Sequence, residues 1–219
     1  MENIFKVFLV LHIAGGSIGL LAGTINMFRT KGDKLHKLAG DFFFYGMLAA
    51  GCSALVMSVM HTSYFLFITG VFTIYLVSTG KRYLSMRGSE LNAKRKPLDW
   101  ALTGCMGLFS IAFTGFGIYN LVGSNTFGIV FLVFGYLSMR MVIADVKNYQ
   151  GKSEIKNAWY VLHFQRMIGA YIAALTAFLV VNVPQGWLPA SFNFIPWLLP
   201  PLILVPLIYK WTAKYAVKK

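Results

Sequence analysis

Four histidines carry most of the chemistry this chain offers. His12 stands in the run Leu-His-Ile-Ala-Gly-Gly-Ser-Ile-Gly-Leu-Leu-Ala-Gly, inside an apolar, glycine-striped stretch. His36 opens Leu-His-Lys-Leu-Ala-Gly-Asp after a basic turn, His61 follows a second apolar stretch, and His163 begins His-Phe-Gln-Arg-Met-Ile-Gly-Ala. An ionisable side chain is costly in hydrocarbon, which makes each of these a candidate functional residue. A neutral imidazole ligates haem iron or zinc, and it also hydrogen-bonds a quinone. His12 shares a helical face with Gly15, Gly16, Gly19, Gly23 and Asn26 by i+3/i+4 spacing. Such a stripe admits a neighbouring backbone or a flat ring. The structural alternative is tight helix packing with the histidine bonded to a neighbouring carbonyl.

The elements that must position these residues are membrane spans. The 219 residues are 57% hydrophobic and only 12% charged, where a soluble domain carries about 25% charged residues. The mean hydropathy is +0.63. Seven apolar stretches, at roughly 4–28, 38–60, 64–80, 99–122, 126–145, 159–182 and 195–213, are each long enough to cross a bilayer. The expected architecture is all-α, one integral membrane domain over residues 1–219 built as a bundle of seven transmembrane helices. No cleavable signal is expected, because the first apolar run is too long for one. Four prolines, Pro196, Pro200, Pro201 and Pro206, predict a seventh helix that kinks or starts late.

The net charge of +13 is distributed by topology. The 29–37 loop carries Arg29, Lys31, Lys34 and Lys37; the 81–98 loop carries Lys81, Arg82, Arg87, Lys94, Arg95 and Lys96. The 146–158 loop has Lys147, Lys152 and Lys156, and the tail has Lys214, Lys218 and Lys219. The alternate connections, 61–63, 123–125 and 183–194, have no Lys or Arg. The positive-inside rule then places the N-terminus outside and the C-terminus in the cytoplasm. The basic loops read as surfaces facing anionic lipid, and nucleic acid is not an expected partner. Tyr64, Trp187, Phe192 and Trp197 fall at the outer interface, with Trp100, Trp159, Tyr160 and Trp211 at the inner one. Cys52 and Cys105 lie in different spans at different depths, so no disulfide is expected. The absence of Cys-x-x-Cys-His excludes covalent c-type haem.

This topology sorts the histidines into an outer pair, His12 and His61, and an inner pair, His36 and His163. It also gathers His36, Asp41, Arg140, Asp145, His163 and Arg166 at the inner ends of spans two, five and six. Arginines beside histidines suit an anionic group such as a haem propionate, a phosphate or a lipid head, and Arg140 and Arg166 are shallow enough to snorkel. A salt-bridge belt fastening the helix ends is the structural alternative. Asp41 is i+4 from Lys37 and, near a helix N-terminus, reads equally as a capping and pairing residue. It is five residues from His36, so a joint site requires the helix to begin after His36. Asp99, after Pro97, reads only as an N-terminal helix charge.

Residues 12–23, the basic loop with His36–Asp41, the segment His163-Phe-Gln-Arg-Met-Ile-Gly-Ala-Tyr-Ile-Ala-Ala and Val180-Val-Asn182 together resemble an uncharacterised family of bacterial multi-span membrane proteins, catalogued only as a domain of unknown function. The resemblance implies a multi-pass protein of the bacterial plasma membrane and marks His12, His36 and His163 as the positions to watch; it carries no activity.

Three functional classes stay open. In a haem-b or quinone-linked redox protein, His12, His36 or His163 meets the cofactor and Arg140 or Arg166 holds a propionate. A zinc-dependent intramembrane hydrolase would use His36, Asp41 and His163 as its three ligands, although neither His-x-x-x-His nor His-Glu-x-x-His occurs. In a non-enzymatic transporter or membrane-complex assembly protein, His12, Asn26 and the proline-rich seventh span line a path.

Overall fold

The computed structural model of the chain describes residues 2–87, 95–184, 186–187, 189 and 195–218. Of the residues placed above by topology, Lys94, Phe192 and Lys219 lie outside this set. The described residues form seven helices: α1 (Glu2–Phe28), α2 (Lys34–Met60), α3 (Tyr64–Leu84), α4 (Pro97–Val122), α5 (Gly128–Tyr149), α6 (Ala158–Asn182) and α7 (Ile195–Tyr215). All seven are long and apolar enough to cross a membrane. A helix is the natural solution there, since it satisfies its backbone polar groups internally. Among the described residues the one bridge outside the helices joins Ile155 to Lys218.

Local chemistry sets the ends. Asp33 caps α2, accepting the His36 backbone N–H at 2.6 Å. Ser63 caps α3 through the Leu66 N–H. Pro97 stands in the first turn of α4, where its missing N–H costs nothing. Helix α7 starts at Ile195 and runs through Pro200, Pro201 and Pro206, each of which removes one intrahelical donor.

Helix α3 is the hub, packing on α2, α4, α5 and α6. Within its apolar window 61% of residues are buried, against 11% in α1 and α7, which lie at the periphery. Ile68, Phe72 and Leu76 of α3 join Phe43 and Met47 of α2, Met106 and Phe113 of α4, and Phe131 of α5 in the main apolar core. A smaller cluster, Val161, Phe164 and Ile168 of α6, packs against Leu204, Ile208 and Trp211 of α7. Small residues bring α1 against α2: a Cβ on Gly15 would lie 2.7 Å from the Gly46 carbonyl oxygen, and one on Gly46 would lie 2.7 Å from that of Gly15. Without a hydrophobic drive between helices in lipid, such backbone approach supplies the packing energy. The glycine stripe of α1 is therefore a helix–helix seam at Gly15, Gly19 and Gly23, and Gly16 stands outside it with nothing within 4 Å of its Cβ position.

Candidate functional site

The histidines expected at the outer end serve α1 and its neighbours separately. His12 Nδ1 lies 2.9 Å from the Ala50 carbonyl oxygen; a carbonyl only accepts, so Nδ1 carries the proton and clips α1 to α2. His61 caps the end of α2 and packs edge-on against Phe5. The two contacts sit seven residues apart along α1, roughly 10 Å.

The residues expected as one inner cluster divide into two groups. The first is a buried ion pair. Asp145 of α5 is fully buried and accepts from Tyr75 Oη at 2.5 Å, Tyr83 Oη at 2.5 Å, Thr103 Oγ1 at 3.3 Å and the Arg166 guanidinium at 2.5 Å. Arg166 also donates to the Met141 carbonyl oxygen at 2.9 Å. One carboxylate thus ties α3, α4, α5 and α6. Arg166 does not snorkel: it is 2% exposed, because its counter-charge lies inside the bundle. Asp99 is more than a helix-end charge. It is buried, it accepts the Lys96 N–H, and it forms a bidentate pair with Arg82 at 2.6 and 2.9 Å. Arg140 is exposed and belongs to neither group.

The second group lines a cavity of about 480 Å³ between the ends of α1, α2, α3, α6 and α7. His36, Asp41 and His163 all face it. Helix α2 begins before His36, so His36 and Asp41 lie about 140° apart around the helix and reach the cavity from different sides. The α2 cap is Asp33, and Asp41 pairs across the cavity with Lys81 of α3, not with Lys37. His163 Nδ1 is 2.8 Å from the Gly80 carbonyl oxygen. That bond fixes the proton on Nδ1 and leaves Nε2 a lone pair.

The lining is amphipathic. Lys31, Lys37, Lys81 and Arg87 supply cations against the single carboxylate of Asp41 among the described residues. Phe43, Trp159, Phe164, Tyr171 and Trp211 form apolar walls. Lys31 closes the gap between α1 and α7: its ammonium donates to the Asn26 and Met27 carbonyls and lies 4.6 Å from the centre of the Trp211 ring. Burial lowers its pKa. The Tyr171 hydroxyl donates to Thr24 Oγ1, whose own hydrogen goes to the Leu20 carbonyl. Opposite, Asn157 accepts the Val217 N–H and donates to the Tyr215 carbonyl, fastening the tail to the start of α6. Two buried polar atoms in the lining, His36 Nδ1 and Asn26 Oδ1, have no hydrogen-bond partner in the protein. Buried polar atoms are normally satisfied, so these two mark a place for a bound group or water.

Among the described residues no three His, Cys, Asp or Glu side chains are grouped to hold a metal ion. The set His36, Asp41 and His163 shares a cavity without forming a ligand cage, and Asp41 is committed to Lys81. Cys52 and Cys105 are both free. Sequence reasoning misses Tyr75, Thr79 and Tyr83, whose i, i+4, i+8 spacing makes a hydroxyl stripe along one face of α3. Lys81, Arg82 and Arg87, which in the sequence read as topological charges, line the cavity (Lys81, Arg87) or pair with Asp99 (Arg82).

No curated protein and no solved structure matches the chain. A family model does match, over residues 9–139; that stretch contains His12, His36 and Asp41 and ends before Arg140, Asp145, His163 and Arg166. It covers more than half of the chain, and the protein belongs to the family described as "Predicted membrane protein (DUF2306)", whose function is unknown.

Proposed function

We propose that this membrane protein is a binding protein of the carrier or accessory class, which holds an amphiphile in the cavity at its basic end. The observation that carries the reading is the cavity's division: apolar and aromatic walls below, a cationic rim above, and orphaned polar atoms of His36 and Asn26 between them. A pocket of a few hundred Å³ with a few convergent polar groups is the usual form of a small-molecule site. By the positive-inside rule the rim faces the cytoplasm. The test is quenching of tryptophan fluorescence by a short acyl-chain amphiphile, to which Trp159 and Trp211 in the wall respond. Gly40→Leu is the matched variant, because Gly40 lines the cavity and a Cβ there meets only Asn26 Nδ2, at 3.5 Å. Saturable quenching in the native protein, lost in Gly40→Leu with unchanged elution on size exclusion, is expected. Equal, non-saturable quenching in the native protein and Gly40→Leu would refute the reading.

A redox version, with haem b or a quinone as the amphiphile, rests on His163. Its Nδ1 bond to Gly80 leaves Nε2 available to iron or to the hydroxyl of a quinol. Arg166 is committed to Asp145 and Arg140 is exposed outside the cavity lining, so Lys37 and Arg87 are the cations left for a propionate. A Soret band with sharp reduced bands in the purified protein, lost in His163→Ala, would establish haem; a colourless protein purified under haem-replete conditions would remove it.

A further inference from the structure

The charge and hydrogen-bonding capacity of the cavity rim identify the head group it takes. Lys31 spends its donors on the Asn26 and Met27 carbonyls and on Trp211, and Lys81 is paired with Asp41. Lys37 makes no ion pair among the described residues, and Arg87 lies 5.5 Å from the centre of the Trp159 ring with no carboxylate partner among them. His36 Nδ1, one residue from Lys37, is buried without a partner. Two unneutralised cations and an unsatisfied imidazole nitrogen thus border one opening. A carboxylate head would neutralise one cation; a terminal phosphate carries up to two charges and enough oxygens to meet all three groups.

Beneath the rim the cavity is apolar. From Met27 the wall descends along α1 to Gly23, four residues or about 6 Å into the bundle, with Phe164 and Tyr171 opposite. A soluble phosphate would use none of that surface.

We propose that the cavity binds a lipid bearing a terminal phosphate, its head on Lys37, Arg87 and His36 and its chain along the aromatic wall. This rests on the amphiphile-binding reading above and specifies its ligand.

The experiment uses the full chain in nanodiscs of phosphatidylcholine and four probes: dioctanoyl phosphatidic acid, dioctanoyl phosphatidylglycerol, dioctanoylglycerol and inorganic phosphate. Phosphatidic acid is expected to bind at least about tenfold more tightly than either acyl competitor, as charge-assisted contacts to two cations predict. The double variant Lys37→Gln, Arg87→Gln alters exposed side chains; it is expected to erase that preference while dioctanoylglycerol binding stays unchanged. Lys6→Gln, paired with Glu2 on α1 away from the cavity, is expected to keep it. Equal binding of the three acyl probes overturns the phosphate assignment and leaves amphiphile binding standing. Inorganic phosphate binding as tightly as phosphatidic acid overturns the lipid. Failure of every acyl probe overturns both this inference and the reading beneath it.

Discussion

Replacing Asp145 by Asn tests how the bundle is held. The side chain is fully buried and receives four donors, from Tyr75, Tyr83, Thr103 and Arg166. Asparagine fills the same space but removes the charge, and its amide NH2 turns toward donors. Arg166, itself 2% exposed, then keeps a positive charge in the interior without a counter-ion, held by the Met141 carbonyl and the face of the Tyr75 ring. Breaking a buried pair from one side costs about 3–5 kcal/mol. At about 2–4 °C per kcal/mol for a chain of this size, the thermal midpoint falls by roughly 6–20 °C. Arg166→Met strands the carboxylate instead, but three hydroxyls still solvate it, so its loss is the smaller of the two. The double variant Asp145→Asn, Arg166→Met removes both charges and is expected to recover much of the midpoint, because no unpaired ion is left in the interior. Size-exclusion thermostability of the four proteins in detergent completes the cycle. Single variants within about 1 kcal/mol of the native protein, or losses that add in the double variant, would refute the idea that this ion pair locks α3, α4, α5 and α6 together.

The seam between α1 and α2 gives a paired prediction. Gly46→Ala places a Cβ 2.7 Å from the Gly15 carbonyl oxygen and should cost about 1–3 kcal/mol in overpacking, whereas Gly16→Ala meets nothing within 4 Å and should be neutral or slightly stabilising; detergent melting curves separate them. At the α2 cap, the His36 backbone N–H, aided by the Arg29 guanidinium and opposed by desolvation, holds the Asp33 carboxyl below its ordinary pKa. A depressed folded-state pKa means the cap's contribution is complete above the ordinary carboxyl range, near pH 4. It is lost as pH falls through the depressed value, so amide exchange in the first turn of α2 should rise there, and Asp33→Asn should abolish that acid dependence. Topology is checked with single cysteines placed in a background lacking Cys52 and Cys105: Ser124→Cys should label from outside and Ser153→Cys only after permeabilisation, and the reverse pattern would overturn the positive-inside assignment.

What the residues determine by themselves is local. Run length and composition suffice for seven helices, since a backbone in lipid satisfies itself only in a helix or a closed barrel, and apolar runs of this length fit the helix. The starts of α2 and α3 are set locally, by Asp33 and Ser63 bonding the backbone three residues on, and that of α4 by Pro97, although apolar run length alone puts the second span at 38. Alternation of Lys and Arg between connections assigns the loops to two sides. The tertiary structure alone decides partners. Asp145 meets Arg166 from 21 residues away and Tyr75 from 70, Asp41 turns from nearby Lys37 to Lys81, and Asp99 finds Arg82. The cavity exists only because five helix ends converge. Helical spacing names the face a residue occupies but not the neighbour that covers it. In a soluble protein polarity would supply that answer; here lipid is as apolar as the core, so hydropathy does not distinguish the two sides of a helix. Contacts between small residues and between buried polar groups make the choice, and those are properties of pairs distant in the chain.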